Sequence, residues 1–273
     1  MTLLHILILA LVQGITEFLP ISSSGHLVIV WEMFDRAGWP LLERTQSDRL
    51  ILDIAVHVGT LFAVCLYFWR DVGQMALGLL KLAVGQSTPG ARLAFYVVIG
   101  TVPLVVVGYL FKDQIAQGLR DVRVVAWATI GFGVVLLLGD RLGMTVRRIE
   151  HMTAASAVVI GLAQVLALIP GTSRAGITMT AARFLGFERP EAARFSLLLA
   201  IPAILGAGTL AGLDLYRQGD VRLGLDALMA AVVAFAVALA AIALMLRWLR
   251  HAGFTPFVVY RLLLGAALLV WLT

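Results

Sequence analysis

Long runs of apolar residues recur along this chain, and they limit its fold more than any other feature of the sequence. An α-helix needs about 20 mostly apolar residues to cross the ~30 Å hydrocarbon layer of a bilayer. The chain is also 61% hydrophobic and only 14% charged, whereas soluble domains are about half apolar and a quarter charged. We therefore predict an all-α, polytopic integral membrane protein. The candidate crossings are residues 50–69, 93–111, 124–139, 195–213, 227–246 and 254–273.

The first apolar stretch is broken by polar residues over positions 13–26, QGITEFLPISSSGH. A charged side chain at the centre of a membrane helix costs about 2.5 to 3.5 kcal/mol, so Glu17 is a candidate for a functional site. Gln13 lies one helical turn earlier, on the same helix face as Glu17. Pro20 ends this helix, and Ser22, Ser23, Ser24 and Gly25 follow. These residue types cap a new helix and leave backbone N–H groups for an anion, while His26 adds a titratable ring.

A second break, PGTSRAG at residues 170–176, interrupts another apolar run. It places Gly171, Thr172 and Ser173 before Arg174, whose guanidinium stays charged in any environment and therefore needs an anion. Two readings are open. Arg174 either pairs with Glu17 to fix the two halves of the chain in register, or binds phosphate with the hydroxyl-rich loops.

The two broken segments resemble each other. ALVQGITEFLPISSSG and GLAQVLALIPGTSRAG share a glutamine, an apolar run, a proline and a serine-containing loop that ends in glycine. Each is followed by three candidate crossings, so a re-entrant hairpin plus about three transmembrane helices is predicted to occur twice, in inverted orientation. We expect one membrane domain, residues 1–273, with repeat 1 over 1–139 and repeat 2 over 152–273. In such folds the broken helices meet near the middle of the bilayer and line a cavity.

The polar residues of the two breaks suit attack on a phosphoanhydride. Arg174 and loop N–H groups would neutralise phosphate oxygens, and either Ser23 or a water would be the nucleophile. Glu17 would either hold a divalent cation or accept the proton of the nucleophile. His26 would act as the acid for the leaving phosphate or as the base for Ser23. The alternative for each serine is ordinary helix capping.

The stretches QGITEFLPISSSGH and PGTSRAG resemble the two signature stretches of the bacterial undecaprenyl-diphosphate phosphatase family, the bacitracin-resistance proteins. The similarity continues through ARFSLLLAIPAILGAG at residues 193–208. This resemblance implies an inner-membrane hydrolase with two interlocked inverted repeats. Such an enzyme removes the terminal phosphate of undecaprenyl diphosphate and so recycles the carrier lipid for peptidoglycan and other cell-wall polymers.

The resemblance also assigns roles to residues. It implies catalytic roles for Glu17, Ser23, His26 and Arg174. Two departures from the family pattern matter: Gln13 replaces a carboxylate, which weakens a metal site built on two acids, and Ala175 replaces a second serine. The expected cofactor is a divalent cation, Mg²⁺ or Ca²⁺, with Glu17 as its expected ligand. Substrate-binding roles are expected for Gln13, Ser22, Ser24, Gly171, Thr172 and Ser173.

Charge distribution bears on orientation and partners. Loops at 70–92, 140–152, 183–194 and 247–255 are expected on one side of the membrane with eleven Lys or Arg, against eight on the other side. By the positive-inside rule the first set is cytoplasmic, and the resemblance implies a site facing the periplasm. The basic residues are scattered, which favours membrane lipids over nucleic acid as partners.

Two alternatives to the phosphatase stay open from the sequence. One is a transporter or flippase of anionic isoprenyl lipids, since inverted repeats with broken helices are common in carriers. The other is a structural membrane protein. A homodimer is one of the assemblies the sequence leaves open. Asp53 and His57 share one face of the next span and are expected either to line the same cavity or to face water near the helix end.

Overall fold

Helices make up nearly all of the residues that the structure describes. The computed structural model describes residues 3–36, 46–111, 121–218 and 221–271, and these ranges contain no β-strand beyond one isolated bridge between Arg147 and Phe187. The predicted all-α class is confirmed. The helices are α1 Leu3–Thr16, α2 Ser23–Arg36, α3 Gln46–Tyr67, α4 Trp69–Ala83, α5 Pro89–Leu110, α6 Val122–Leu142, α7 Ala154–Gln164, α8 Arg174–Phe184, α9 Arg189–Gln218, α10 Val221–Leu249 and α11 Thr255–Trp271.

Four helical segments have the length and composition to cross a membrane: Arg49–Tyr67, Pro89–Leu110, Val122–Leu142 and Leu223–Leu249. They lie within α3, α5, α6 and α10 and coincide with four of the predicted crossings. The two other predicted crossings fall on α9, which has 30 residues, and on α11, which has 17. The prediction of a multi-pass membrane protein is confirmed.

Two pairs of shorter helices correspond to the predicted hairpins. The first pair, α1 and α2, has 14 residues in each helix, and α7 and α8 have 11 residues each. At 1.5 Å per residue even 14 residues extend only about 21 Å, less than the ~30 Å hydrocarbon layer. The first helix of each pair is followed by a proline, Pro20 or Pro170, which cannot continue the hydrogen-bond ladder.

The two halves of the chain interlock. Helix α1 packs on α10, whereas α7 packs on α5, so each hairpin lies against a long helix of the other half. Helix α3 also packs along α10, and α6 packs along α11. This exchange places the two chain breaks side by side. The inverted relation of residues 1–139 and 152–273 stays a prediction.

Helix α4 lies in a region that the sequence pattern assigns to a loop, residues 70–92. Its apolar side chains are exposed on one side, including Leu77, Leu79 and Leu80. On the other side Asp71 forms an ion pair with Arg194 of α9. The helix is too short to cross the membrane, and its amphipathic pattern is typical of a helix on a protein or membrane surface.

Candidate active site

The first break is built on a serine with unusual backbone geometry. Ser22 has φ 76°, in the left-handed region that few non-glycine residues adopt. Its Oγ accepts a hydrogen bond from the N–H of Gly25 at 3.3 Å, which satisfies one of the free donors at the start of α2. The chain thus reverses at Ser22, and Ser23 becomes the first residue of the new helix.

The second break has the same capped turn. Ser173 has φ 72°, and its Oγ accepts a hydrogen bond from the N–H of Gly176 at 3.0 Å. Helix α8 then begins at Arg174. Ser23 and Arg174 therefore occupy equivalent places, each directly after a left-handed capping serine.

The two breaks touch each other. A Cβ atom built on Gly25 would lie 3.5 Å from the Cα of Gly171, so the backbones are nearly in contact. Gly171 has φ 94°, and a side chain there would collide with the carbonyl of Val125. Glycine is required at this position by both the backbone angle and the close approach. Two loops far apart in sequence therefore meet at their tips.

Glu17 is the centre of the polar cluster at this meeting point, and its side chain is only 4% exposed. Its Oε1 accepts a hydrogen bond from Arg174 Nη2 at 2.7 Å. Its Oε2 accepts hydrogen bonds from Gln13 Nε2 at 2.8 Å and from Ser23 Oγ at 2.6 Å. The structure thus brings together one carboxylate, one guanidinium, one amide and one hydroxyl from both breaks.

Three buried polar atoms near this cluster have no hydrogen-bond partner among the described residues: Nη1 of Arg174, Oε1 of Gln13 and Oγ1 of Thr172. A buried donor or acceptor without a partner costs about 1–3 kcal/mol. Two of these atoms belong to residues bonded to Glu17. The cluster therefore offers both a charged donor and an oxygen acceptor to a ligand.

His57 of α3 also reaches Glu17, with its Nε2 3.5 Å from Glu17 Oε2. Its Nδ1 lies 2.6 Å from the backbone carbonyl of Asp53, which orients the ring. His57 thus contacts the Glu17 cluster, and its place in a cavity stays a prediction. Asp53 itself accepts a hydrogen bond from the indole of Trp31 at 3.0 Å.

His26 lies on α2, about one turn after Ser23. Its Nδ1 lies 2.6 Å from the Ser22 carbonyl, and its Nε2 lies 2.6 Å from the hydroxyl of Tyr260. The two rings are nearly parallel, with centroids 5.7 Å apart. Tyr260 was not predicted from the sequence. Ser24 is exposed and its hydroxyl is 3.3 Å from that of Ser22.

Arg261 of α11 forms hydrogen bonds with both breaks. This role was not predicted from the sequence. It is fully buried. Its guanidinium donates hydrogen bonds to the carbonyls of Pro20 at 3.1 Å, Gly171 at 2.9 Å and Thr172 at 3.0 Å. An arginine flanked by apolar residues in a membrane helix is itself a signal for a buried polar role, so the sequence VVYRLLLG could have indicated it.

A divalent cation is compatible with the donors present. Within the described ranges no three His, Cys, Asp or Glu side chains converge as an all-protein metal site would require. Mg²⁺, however, is usually held by one or two protein oxygens together with water and substrate phosphates. Glu17 and the unpartnered Oε1 of Gln13 are oxygens of this kind, so the donor chemistry fits a cation shared with a diphosphate, although Gln13 turns its Nε2 rather than its Oε1 toward Glu17.

Comparison with known proteins agrees with this geometry. A family model described as bacitracin resistance protein BacA matches residues 6–267. The chain belongs to this family. The matched region of this bacitracin resistance family member includes both breaks and also α11 as far as residue 267, so the two residues missed by sequence analysis, Tyr260 and Arg261, lie inside it.

Individual relatives are similar over nearly their whole length. The chain is 54% identical to undecaprenyl-diphosphatase 1 of Rhodospirillum rubrum, over 98% of this chain and 95% of the relative. It is 46% identical to undecaprenyl-diphosphatase of Roseobacter denitrificans, over 99% of both chains. It is 48% identical to undecaprenyl-diphosphatase of Hahella chejuensis, over 100% of this chain and 99% of the relative.

Proposed function

We propose that this protein hydrolyses undecaprenyl diphosphate to undecaprenyl phosphate and inorganic phosphate. This activity would recycle the lipid carrier for peptidoglycan synthesis and confer bacitracin resistance. The family match and the names of the relatives support the reaction. The arrangement of Arg174 and Glu17 supports the location of the site.

The observation that carries the proposal is that only one of the two terminal nitrogens of Arg174 has a hydrogen-bond partner among the residues that the structure describes. One nitrogen, Nη2, is bonded to Glu17, while Nη1 is buried without a partner. A buried donor without a partner costs about 1–3 kcal/mol. A phosphate oxygen at Nη1 would satisfy it with a charge-assisted hydrogen bond.

The hydroxyl of Ser23 is suited to attack the terminal phosphorus. Its proton already lies on a 2.6 Å hydrogen bond to Glu17, so Glu17 would accept it as the Ser23 Oγ–P bond forms and the anhydride P–O bond breaks. Water would then hydrolyse the phosphoserine and release phosphate. Because Glu17 takes the serine proton, we assign His26 to protonation of the leaving lipid phosphate.

A bound Mg²⁺ or Ca²⁺ would neutralise charge on the diphosphate. Gln13 would hold it through Oε1, and Glu17 would be a second ligand if water, rather than Ser23, is the nucleophile, because a carboxylate bound to a cation is a poor base for the serine proton. Ser22, Ser173 and Gly171 shape the backbone around the phosphate, and Thr172 and Ser24 offer hydroxyls to it. We place the protein in the bacterial inner membrane with the site facing the periplasm, supported by the excess of Lys and Arg in the opposite loops. A homodimer stays an open expectation.

The test is phosphate release from undecaprenyl diphosphate by the purified protein in detergent. Arg174→Ala and Glu17→Ala are each expected to lower the rate by about 10²–10³-fold or more, as loss of one transition-state donor does. Arg123→Ala, at the exposed start of α6, is the matched control. Full activity of both site variants would overturn the proposal. Detergent also separates the enzyme from a flippase, because a carrier releases no phosphate there.

A further inference from the structure

An apolar cavity of about 750 Å³ lies along α10. Its walls include Ile15 from α1, Ala240, Leu244 and Trp248 from α10, and Phe257 from α11. From Ala240 to Trp248 the helix rises about 12 Å, so the cavity follows the helix over a large part of a membrane leaflet. We call it the α10 groove.

A second, polar cavity of about 390 Å³ lies near the end of the same helix. It is lined by Thr145, Glu188, Arg189 and Arg250, among others. Two charged residues of its lining already form ion pairs: Glu188 with Arg148 at 3.2 Å, and Arg189 with Asp140 at 2.6 Å. Arg250 forms no ion pair or side-chain hydrogen bond with any described residue. We call this cavity the Arg250 pocket.

The groove and the pocket border the same turn between α10 and α11. The indole N–H of Trp248, in the groove wall, donates a hydrogen bond to the carbonyl of Gly253 at 3.0 Å. A Cβ atom built on Gly253 would lie 3.5 Å from Nε of Arg189, in the pocket wall. Tryptophan and arginine close to a helix end, as at Trp248 and Arg250, are typical of the membrane interface. A ligand with both an apolar chain and an anionic group could therefore occupy the α10 groove with its chain and the Arg250 pocket with its anionic group.

We propose that the α10 groove and the Arg250 pocket together bind one anionic phospholipid of the bilayer. Its phosphodiester lies at Arg250 and Arg189, and an acyl chain lies along α10. Basic pockets beside membrane helices recognise anionic lipid headgroups through such charges. The groove lies on the outer face of the first break, where Ile15 is exposed, whereas Glu17, two residues later, is buried.

Native mass spectrometry of the full-length protein tests this, with dioleoyl phosphatidylglycerol and dioleoyl phosphatidylcholine as probes. The wild type is expected to retain the anionic lipid in preference to the zwitterionic one. Arg250→Ala is expected to weaken retention of phosphatidylglycerol about fivefold, since one surface arginine contributes about 1 kcal/mol. Arg123→Ala, which removes one exposed arginine elsewhere, is expected to leave it unchanged.

A second pair of variants tests the groove. Ala240→Phe fills it and is expected to lower lipid retention, whereas Ala243→Phe places the same ring on an exposed face of α10 that does not line the groove. Phosphate release should be unaffected by Arg250→Ala. The proposal is overturned by equal retention of the two lipids, by equal effects of Arg250→Ala and Arg123→Ala, by displacement of phosphatidylglycerol by an isoprenyl monophosphate, or by occupation of the groove by a second protein copy.

Discussion

The two chain breaks have the same backbone conformation but carry different side-chain chemistry. Both reverse at a left-handed serine, Ser22 or Ser173, whose hydroxyl caps the N–H of the glycine three residues later. The next residue differs: Ser23 in the first break and Arg174 in the second. One geometry therefore presents a hydroxyl from one side and a cation from the other.

The glutamines that precede the breaks differ in the same way. Gln13 and Gln164 are both fully buried, and each has a carbonyl oxygen without a partner among the described residues. Gln13 donates its amide to Glu17, whereas Gln164 donates to the backbone carbonyl of Gly100 at 3.1 Å. The first break thus uses its glutamine within the site, and the second uses it to join α7 to α5. Repeated structure does not imply repeated function.

The largest effect is expected from Ser23, because it holds the place that Arg174 holds in the other break. Ser23→Ala removes the proposed nucleophile and should lower phosphate release by more than about 10³-fold. Ser22→Ala should have a much smaller effect on the rate, since Ser22 is a cap. Peptide mapping after acid quenching should find phosphoserine at Ser23. A loss of less than about tenfold in Ser23→Ala would instead assign the attack to water.

The shared serine geometry predicts matched effects on stability. Loss of a serine cap costs about 0.5–2 kcal/mol, and alanine is also strained at the positive φ of Ser22 and Ser173. Ser22→Ala and Ser173→Ala should each lower the midpoint of thermal unfolding in detergent, and the corresponding glycine variants should lower it less. A response in only one break, or equal effects of alanine and glycine, would contradict the equivalence of the two turns.

The smallest effects are expected from the glutamines, and only Gln13 should affect the rate. Gln13→Leu removes a hydrogen bond to a carboxylate, which typically contributes about 1.5–3 kcal/mol, so it should lower the midpoint of thermal unfolding and also lower phosphate release about tenfold or more. Gln164→Leu should lower the unfolding free energy by about 1 kcal/mol and leave the rate within about twofold. Measured rates and unfolding midpoints for both variants decide the matter. If both variants lowered the rate of phosphate release equally, the two glutamines would have the same role and the comparison would fail.

Much of this arrangement follows from the sequence. Pro20 and Pro170 mark where helices end, and the serines and glycines beside them mark where new ones begin. The need of Arg174 for an anion follows from its permanent charge in a membrane interior, and Glu17 was one of the two partners that the sequence left open. These are local rules of chain geometry and charge, and they need no knowledge of which helices pack together.

Other features depend on tertiary packing and could not be predicted in the same way. Tyr260 and Arg261 meet the breaks only because α11 packs beside α6, and no spacing in the sequence links residue 261 to residue 20. The division of the Glu17 oxygens, one to Arg174 and one to Ser23, also depends on how the two loops meet. Helix α4 was missed because its apolar residues are too few in a row to suggest a crossing.

The hydrogen bonds of Arg261 have a consequence for biosynthesis. The ribosome makes both loops long before it reaches residue 261, and a nascent chain folds from its N-terminal end. Until α11 enters the bilayer, the carbonyls of Pro20, Gly171 and Thr172 lack their hydrogen-bond donor. A nascent chain that stops before α11 therefore lacks these three hydrogen bonds, and the two loops are joined only when α11 inserts.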